Sequence, residues 1–178
     1  KWNKYFVKIV NKVPSFGKTF IYLDNKNNKN LLKKLKNKNF YTYGIDDKSN
    51  YSVKNIKQFR EYSEYNLKIR LPNKKIIILK KIKIPLLGLH NIKNSVAATA
   101  VALNVGLSIS NIKKGLKNFT GVQRRFNKIF TLNKVDFFDD YAHHPTEIKE
   151  VLNGVKTVYS NYEKICIFQP HRISRLKD

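Results

Sequence analysis

Over residues 1–85 the apolar positions fall in short runs broken by turn residues, the pattern of strands. Residues 20–23 read as a strand ended by Asp24 and Asn25. Leu31, Leu32 and Leu35 then recur at helical spacing, and residues 39–43 form a second strand that stops at Gly44. From 51 to 79 the pattern is again strand-like. Leu67, Ile69 and Leu71 alternate with Lys68 and Arg70, as a half-buried strand requires. Pro72 and Asn73 mark a hairpin turn before the apolar residues 76–79. A strand, a helix and a strand followed by a small antiparallel patch predict the later part of an α/β domain.

The period changes at Gly88. Residues 91–104 are rich in alanine and read as a close-packed helix, with Gly106 as its C-cap. A shorter helix is expected over 110–118, with Ile112, Leu116 and Phe119 on one face. Residues 134–138 read as a strand and 139–144 as its C-terminal loop. Pro145 opens a helix whose apolar face is Ile148, Val151, Leu152, Val155 and Val158. Residues 164–168 read as the next strand. Together these predict one βαβ unit and the start of a parallel sheet, with a domain boundary between 126 and 131.

Composition narrows the class. Hydrophobic residues make up 42% of the 178, enough for a core. No apolar run reaches the ~18–20 residues of a membrane span, and the first residues, lacking a long apolar stretch, are not expected to be a secretory signal. The chain contains no Met and is expected to be an excerpt of a longer protein. Cys166 is the only cysteine, which excludes an internal disulfide; its apolar surroundings predict a buried small hydrophobe. The net charge is +24, but lysine is scattered along the whole chain rather than gathered on one stripe. That scatter favours solvated surface lysine over a nucleic-acid or membrane surface. Arginine is scarcer and more telling, because Arg124, Arg125, Arg172 and Arg175 fall in two tight clusters.

Three polar regions sit at strand ends and helix starts, where α/β proteins hold ligands. In GLHNIKN (88–94), Asn91 and Asn94 share a helix face. Their amides could meet a flat heterocycle, or Asn91 could be an ordinary N-cap. In FTGVQRRF (119–126) the paired arginines stand at the domain boundary, either clamping a phosphate or solvated with one salt bridge. FDDYAHHPTEI (138–148) packs carboxylates, a tyrosine and two histidines together. His143 and His144 are adjacent and point apart, which disfavours one shared metal and favours a substrate or nucleotide loop. Its partner would be FQPHRISRLKD (168–178), where His171, Arg172 and Arg175 could bind a carboxylate or phosphate.

The four runs HN-x-x-N, GVQRRF, DDYAHHPTEI and FQPHR-x-SR, in this order and spacing, resemble the Mur ligase family of bacterial cell-wall enzymes. The resemblance is strongest from Pro85 onward. It implies an α/β fold made of the C-terminal half of a Mur ligase central ATPase domain (1–126), followed by the start of a Rossmann-like C-terminal domain (127–178). The last two runs resemble the family branch that joins L-alanine to UDP-N-acetylmuramate. ATP would phosphorylate the muramyl carboxylate, and the amine of alanine would displace phosphate. The resemblance places His90, Asn91 and Asn94 at the adenine end of ATP. It places Arg125 against the phosphates across the cleft and Asp140 opposite the ribose, these two being the candidate catalytic residues. Tyr141, His143, His171, Arg172 and Arg175 would face the substrates.

Two of the family's parts are missing. The phosphate-binding loop G-x-x-G-K-[ST] is absent, since Gly17, Lys18 and Thr19 precede a strand rather than a helix. The Mg2+ ligands also find no match and are expected upstream, so this stretch alone is expected not to turn over. The implied setting is the bacterial cytoplasm, without nucleic-acid or membrane partners. The competing readings are a sister ligase that adds a peptide or another amino acid, and a basic nucleic-acid-binding module. The second leaves Asp139, Asp140, His143 and His144 unexplained, because carboxylates repel phosphate.

Overall fold

A computed structural model describes residues 2–122 and 124–170. The first part is a five-stranded sheet in the order β1-β2-β3-β4-β5. Its strands are β1 (Thr19–Tyr22), β2 (Phe40–Gly44), β3 (Tyr51–Gln58), β4 (Ser63–Arg70) and β5 (Ile76–Ile84). The first three pair in parallel and the last three antiparallel. The expected α/β start and antiparallel patch are therefore both present.

Side-chain alternation builds three layers. In β4 every second residue is buried, and Tyr65, Leu67 and Ile69 face the same core as Tyr51, Val53, Leu79, Ile82 and Ile84. That core is closed by Ile92, Val96 and Ala100 of α3 (Leu89–Asn104). Leu79 and Ile82 are three apart yet face the same way, because a bulge intervenes. Lys81 takes φ +54° there, and its N–H donates to Asn66 Oδ1 at 2.9 Å. On β1, Phe20 packs toward this core, whereas its neighbour Ile21 joins a second one. There Val10 of α1 (Trp2–Asn11) and Leu31 of α2 (Lys26–Leu32) cover the opposite sheet face. Helix α4 (Ile109–Lys117) is capped by Ser108, whose hydroxyl accepts the Asn111 N–H at 3.2 Å.

The C-terminal part differs from the expected βαβ unit. Residues 127–132, expected to fall within or beside a linker, form strand β6 (Asn127–Leu132). It pairs antiparallel with β7 (Val135–Asp139) through a two-residue turn in which Asn133 and Lys134 both have positive φ. That is the hairpin turn whose twist matches the strands it joins. Helix α5 (Pro145–Val158) follows as expected. The expected strand at 164–168 does not form among the described residues. Ile165 and Ile167 are 86% and 94% exposed, and Cys166 is exposed rather than buried. An apolar strand of this kind needs pairing at its edges and cover on its faces, and the described residues supply neither.

Among the described residues no helix is long and apolar enough to cross a membrane.

Candidate functional site

The site lies where the C-terminal ends of β1 and β3, the N-terminus of α3 and the first turns of α5 converge. Gly88 is the N-cap of α3 at φ +87°, and its N–H donates to Gln58 Oε1 at the end of β3 over 2.9 Å. Asn91 is therefore not the N-cap. Its amide donates back to the Leu87 carbonyl at 2.7 Å, bracing the turn that presents His90. Asn94, one turn further along α3, is exposed.

His90 sits at the junction of the two parts. Its Nδ1 is buried and has no hydrogen-bond partner among the described residues. Burial pushes the imidazole below its usual pKa; Glu150 and Asp140 pull it up, while Arg125 and Lys93 push it further down. His90, Arg125 and Asp140, drawn from three separate motifs, thus share one electrostatic neighbourhood, with Glu150 of α5 as a fourth member. The seam they border is lined by Leu87, Gly88, Phe126, Val151, Gly154 and Val155.

The FDDYAHHPTEI loop is organised by its own side chains. Asp140 accepts the N–H of Phe126 at 2.8 Å and that of Ala142 at 2.6 Å, tying the arginine pair to the strand end. Arg124 meets Asp139 at 3.3 Å and lies over the Tyr141 ring, 5.0 Å from its centroid. Arg125 is more loosely paired, with Glu147 at 4.0 Å. His144 caps α5, its Nδ1 accepting the Thr146 N–H at 3.3 Å, and Glu147 completes the capping box. Burial opposes ionisation of Glu147, but the N–H groups of His143 and His144 and the charge of Arg125 outweigh it and lower its pKa. His143 packs edge-on to Tyr141 at 5.1 Å, with Nδ1 3.0 Å from the Tyr141 carbonyl. His171, Arg172 and Arg175 lie outside the described residues.

Several site residues escaped the sequence reading. Asp24, at the end of β1, accepts the N–H groups of Ile45 and Asp46 at 2.8–3.0 Å. A Cβ at Gly44 would stand 2.6 Å from its Oδ1. Tyr22 is held well above its usual pKa by burial first and then by Asp24 and Glu150, with Lys93 over its ring at 5.3 Å. Their position at a parallel strand's C-terminal end was the available signal. Glu147 could have been found as the third residue after a helix cap. Among the described residues no group of three or more His, Cys, Asp or Glu side chains could hold a metal ion.

Comparison with known proteins places this geometry. A family model for the Mur ligase middle domain matches residues 3–102, and one for the Mur ligase glutamate ligase domain matches 124–177. The chain belongs to the Mur ligase family. Its Mur ligase relatives include UDP-N-acetylmuramate–L-alanine ligases. That of Pelagibacter ubique is 68% identical over 173 residues, covering 97% of this chain and 37% of the relative. That of Rickettsia prowazekii is 40% identical over 176 residues, covering 97% of this chain and 36% of the relative. The chain therefore spans little more than a third of these relatives. Among solved structures, the UDP-N-acetylmuramate–alanine ligase MurC of Thermotoga maritima superposes with a TM-score of 0.68 at 27% identity, covering 86% of this chain and 33% of that one. MurF of Acinetobacter baumannii superposes at 0.70 with 22% identity over 84% of this chain and 31% of that one, a likeness of fold.

Proposed function

We propose that this chain is the junction between the central and C-terminal domains, divided near residues 126–127, of a bacterial cytoplasmic ligase that joins L-alanine to UDP-N-acetylmuramate. The observation that carries the proposal is 68% identity across nearly the whole chain to a protein named for that reaction. The geometry supports it through the meeting of His90, Arg125 and Asp140 at one seam.

In the proposed reaction a muramyl carboxylate oxygen attacks the γ-phosphorus of ATP, and ADP leaves. The amine nitrogen of L-alanine then attacks the acyl carbon, the phosphate departs with the C–O bonding pair, and the nitrogen loses a proton. Arg125 is suited to the phosphates because its side chain is partly exposed and only weakly paired with Glu147. His90, Asn91 and Asn94 would border the adenine. A neutral imidazole suits that role, since it can donate from one ring nitrogen and accept at the other. Asp140 would face the ribose while keeping its backbone clamp, since each carboxylate oxygen carries two acceptor sites. Tyr141, His143, His171, Arg172 and Arg175 would surround the alanine and muramyl carboxylates. Mg2+ would be held by residues outside this stretch. The test is ATP-dependent formation of UDP-N-acetylmuramoyl-L-alanine by the full-length protein, read as product and ADP together.

A further inference from the structure

Helix α5 has a glycine in its interior, Gly154, where alanine would favour the helix. The compensating reason lies across the domain junction. A Cβ built on Gly154 would stand 3.1 Å from Gly88 Cα and 3.6 Å from Gly88 N. Carbon atoms pack best at ~3.5–4.0 Å, so the first distance is too tight by a few tenths of an ångström, and the neighbour is backbone rather than a side chain that could swing away. That backbone is pinned. The Gly88 N–H is held by Gln58, and its carbonyl accepts the N–H groups of Asn91 and Ile92 at 3.1 and 3.3 Å. The other helical glycine among the described residues, Gly115 of α4, has nothing within 4 Å of its built Cβ.

We infer that Gly154 is the positioning residue of the domain junction. By letting α5 rest directly on the Gly88 backbone, it sets the separation between the Arg125–Asp140 side of the cleft and the His90–Asn91–Asn94 side. A second contact fixes the rotation. Beyond the end of α5, the Tyr162 ring lies under the Arg60 guanidinium, 4.6 Å from its carbon, and its hydroxyl accepts a hydrogen bond from the same group. Arg60 belongs to the β3–β4 turn, so α5 is held at two separated points of the first domain. The inference rests on the reading of this cleft as the ATP site.

The test uses the full-length protein with Gly154→Ala, Gly154→Leu and the control Gly115→Ala. Thermal midpoint, kcat and the KM for ATP are measured for each. Ala98 on α3 and Lys149 on α5 are both exposed and suit spin labels. The distance between labels at Ala98→Cys and Lys149→Cys is measured for wild type and Gly154→Leu after Cys166 and any other cysteines are replaced. Gly154→Ala should keep or raise the midpoint yet lower kcat/KM for ATP by about threefold to tenfold, and Gly154→Leu by about 100-fold, in line with the cost of ångström-scale misplacement. The label distance in Gly154→Leu should lengthen, and Gly115→Ala should match wild type in kcat/KM. A merely structural glycine would not lower kcat/KM while the midpoint holds. Wild-type kcat/KM in Gly154→Ala, or an unchanged label distance in a folded Gly154→Leu, would overturn the inference. Absence of ligation in the wild type would instead remove the ligase reading, and the label distances would still judge the joint.

Discussion

Asp140 offers a prediction that the sequence alone would not suggest. Its carboxylate holds two backbone N–H groups, those of Phe126 and Ala142, at 2.8 and 2.6 Å. Phe126 carries a φ of +52°, a backbone state that a bulky residue keeps only when something holds it. Asp140→Ala removes both acceptors. A hydrogen bond to a charged group contributes about 1.5–3 kcal/mol, but these contacts are only half-buried and water replaces part of the loss. The pair is therefore worth about 2–3 kcal/mol, taken from the low end of that range. At 1.36 kcal/mol per tenfold, amide exchange at Phe126 and Ala142 should accelerate by about 30- to 150-fold. Asp140→Asn keeps one acceptor oxygen and should fall between. The assay is native-state hydrogen exchange on the full-length protein without nucleotide, so that any ATP contact of Asp140 plays no part. Unchanged exchange at both amides in Asp140→Ala would refute the clamp.

Two further outcomes follow from the same site. Arg125 is partly exposed and only weakly paired, so Arg125→Ala should change folding stability by no more than about 0.5 kcal/mol. The KM for ATP should nevertheless rise by about 10- to 100-fold, the loss of one charge-assisted phosphate contact; an unchanged KM would detach Arg125 from the nucleotide. His90 has a folded pKa below its unfolded value near 6.5. As pH falls through 6.5 the unfolded chain binds the proton first, so stability is lost from there down to the folded pKa and then levels. Urea midpoints measured from pH 7.5 to 5 should therefore fall more steeply for wild type than for His90→Gln, and parallel curves would contradict the assignment.

Much of the fold was legible because single elements carried their own signals. The alternation in β4 and the alanine-rich α3 were read directly, since each buries one regular face. Strand β6 was missed because its turn, Asn133-Lys134, lacks the glycine that usually marks such hairpins. Helix α1 was legible and was nonetheless read as strand: Trp2, Tyr5, Phe6, Ile9 and Val10 recur at helical spacing. The run at 164–168 looked like a buried strand, but a strand is a property of its neighbours as well as its residues. In the site, motif order pointed to His90, Arg125 and Asp140, and the structure brings them together. It could not give the partners of Asp140 or the seat of Gly154 on Gly88, because those contacts join segments distant in sequence.

The central claim concerns the reaction, and one measurement bears on it most directly. The full-length protein is incubated with ATP, Mg2+ and UDP-N-acetylmuramate, with either L-alanine or the murein tripeptide as acceptor, and the product is identified by mass. The account predicts UDP-N-acetylmuramoyl-L-alanine in equal amount to the ADP formed, with the tripeptide a far poorer acceptor. Preference for the tripeptide, or no ATP-dependent product with either, would contradict it.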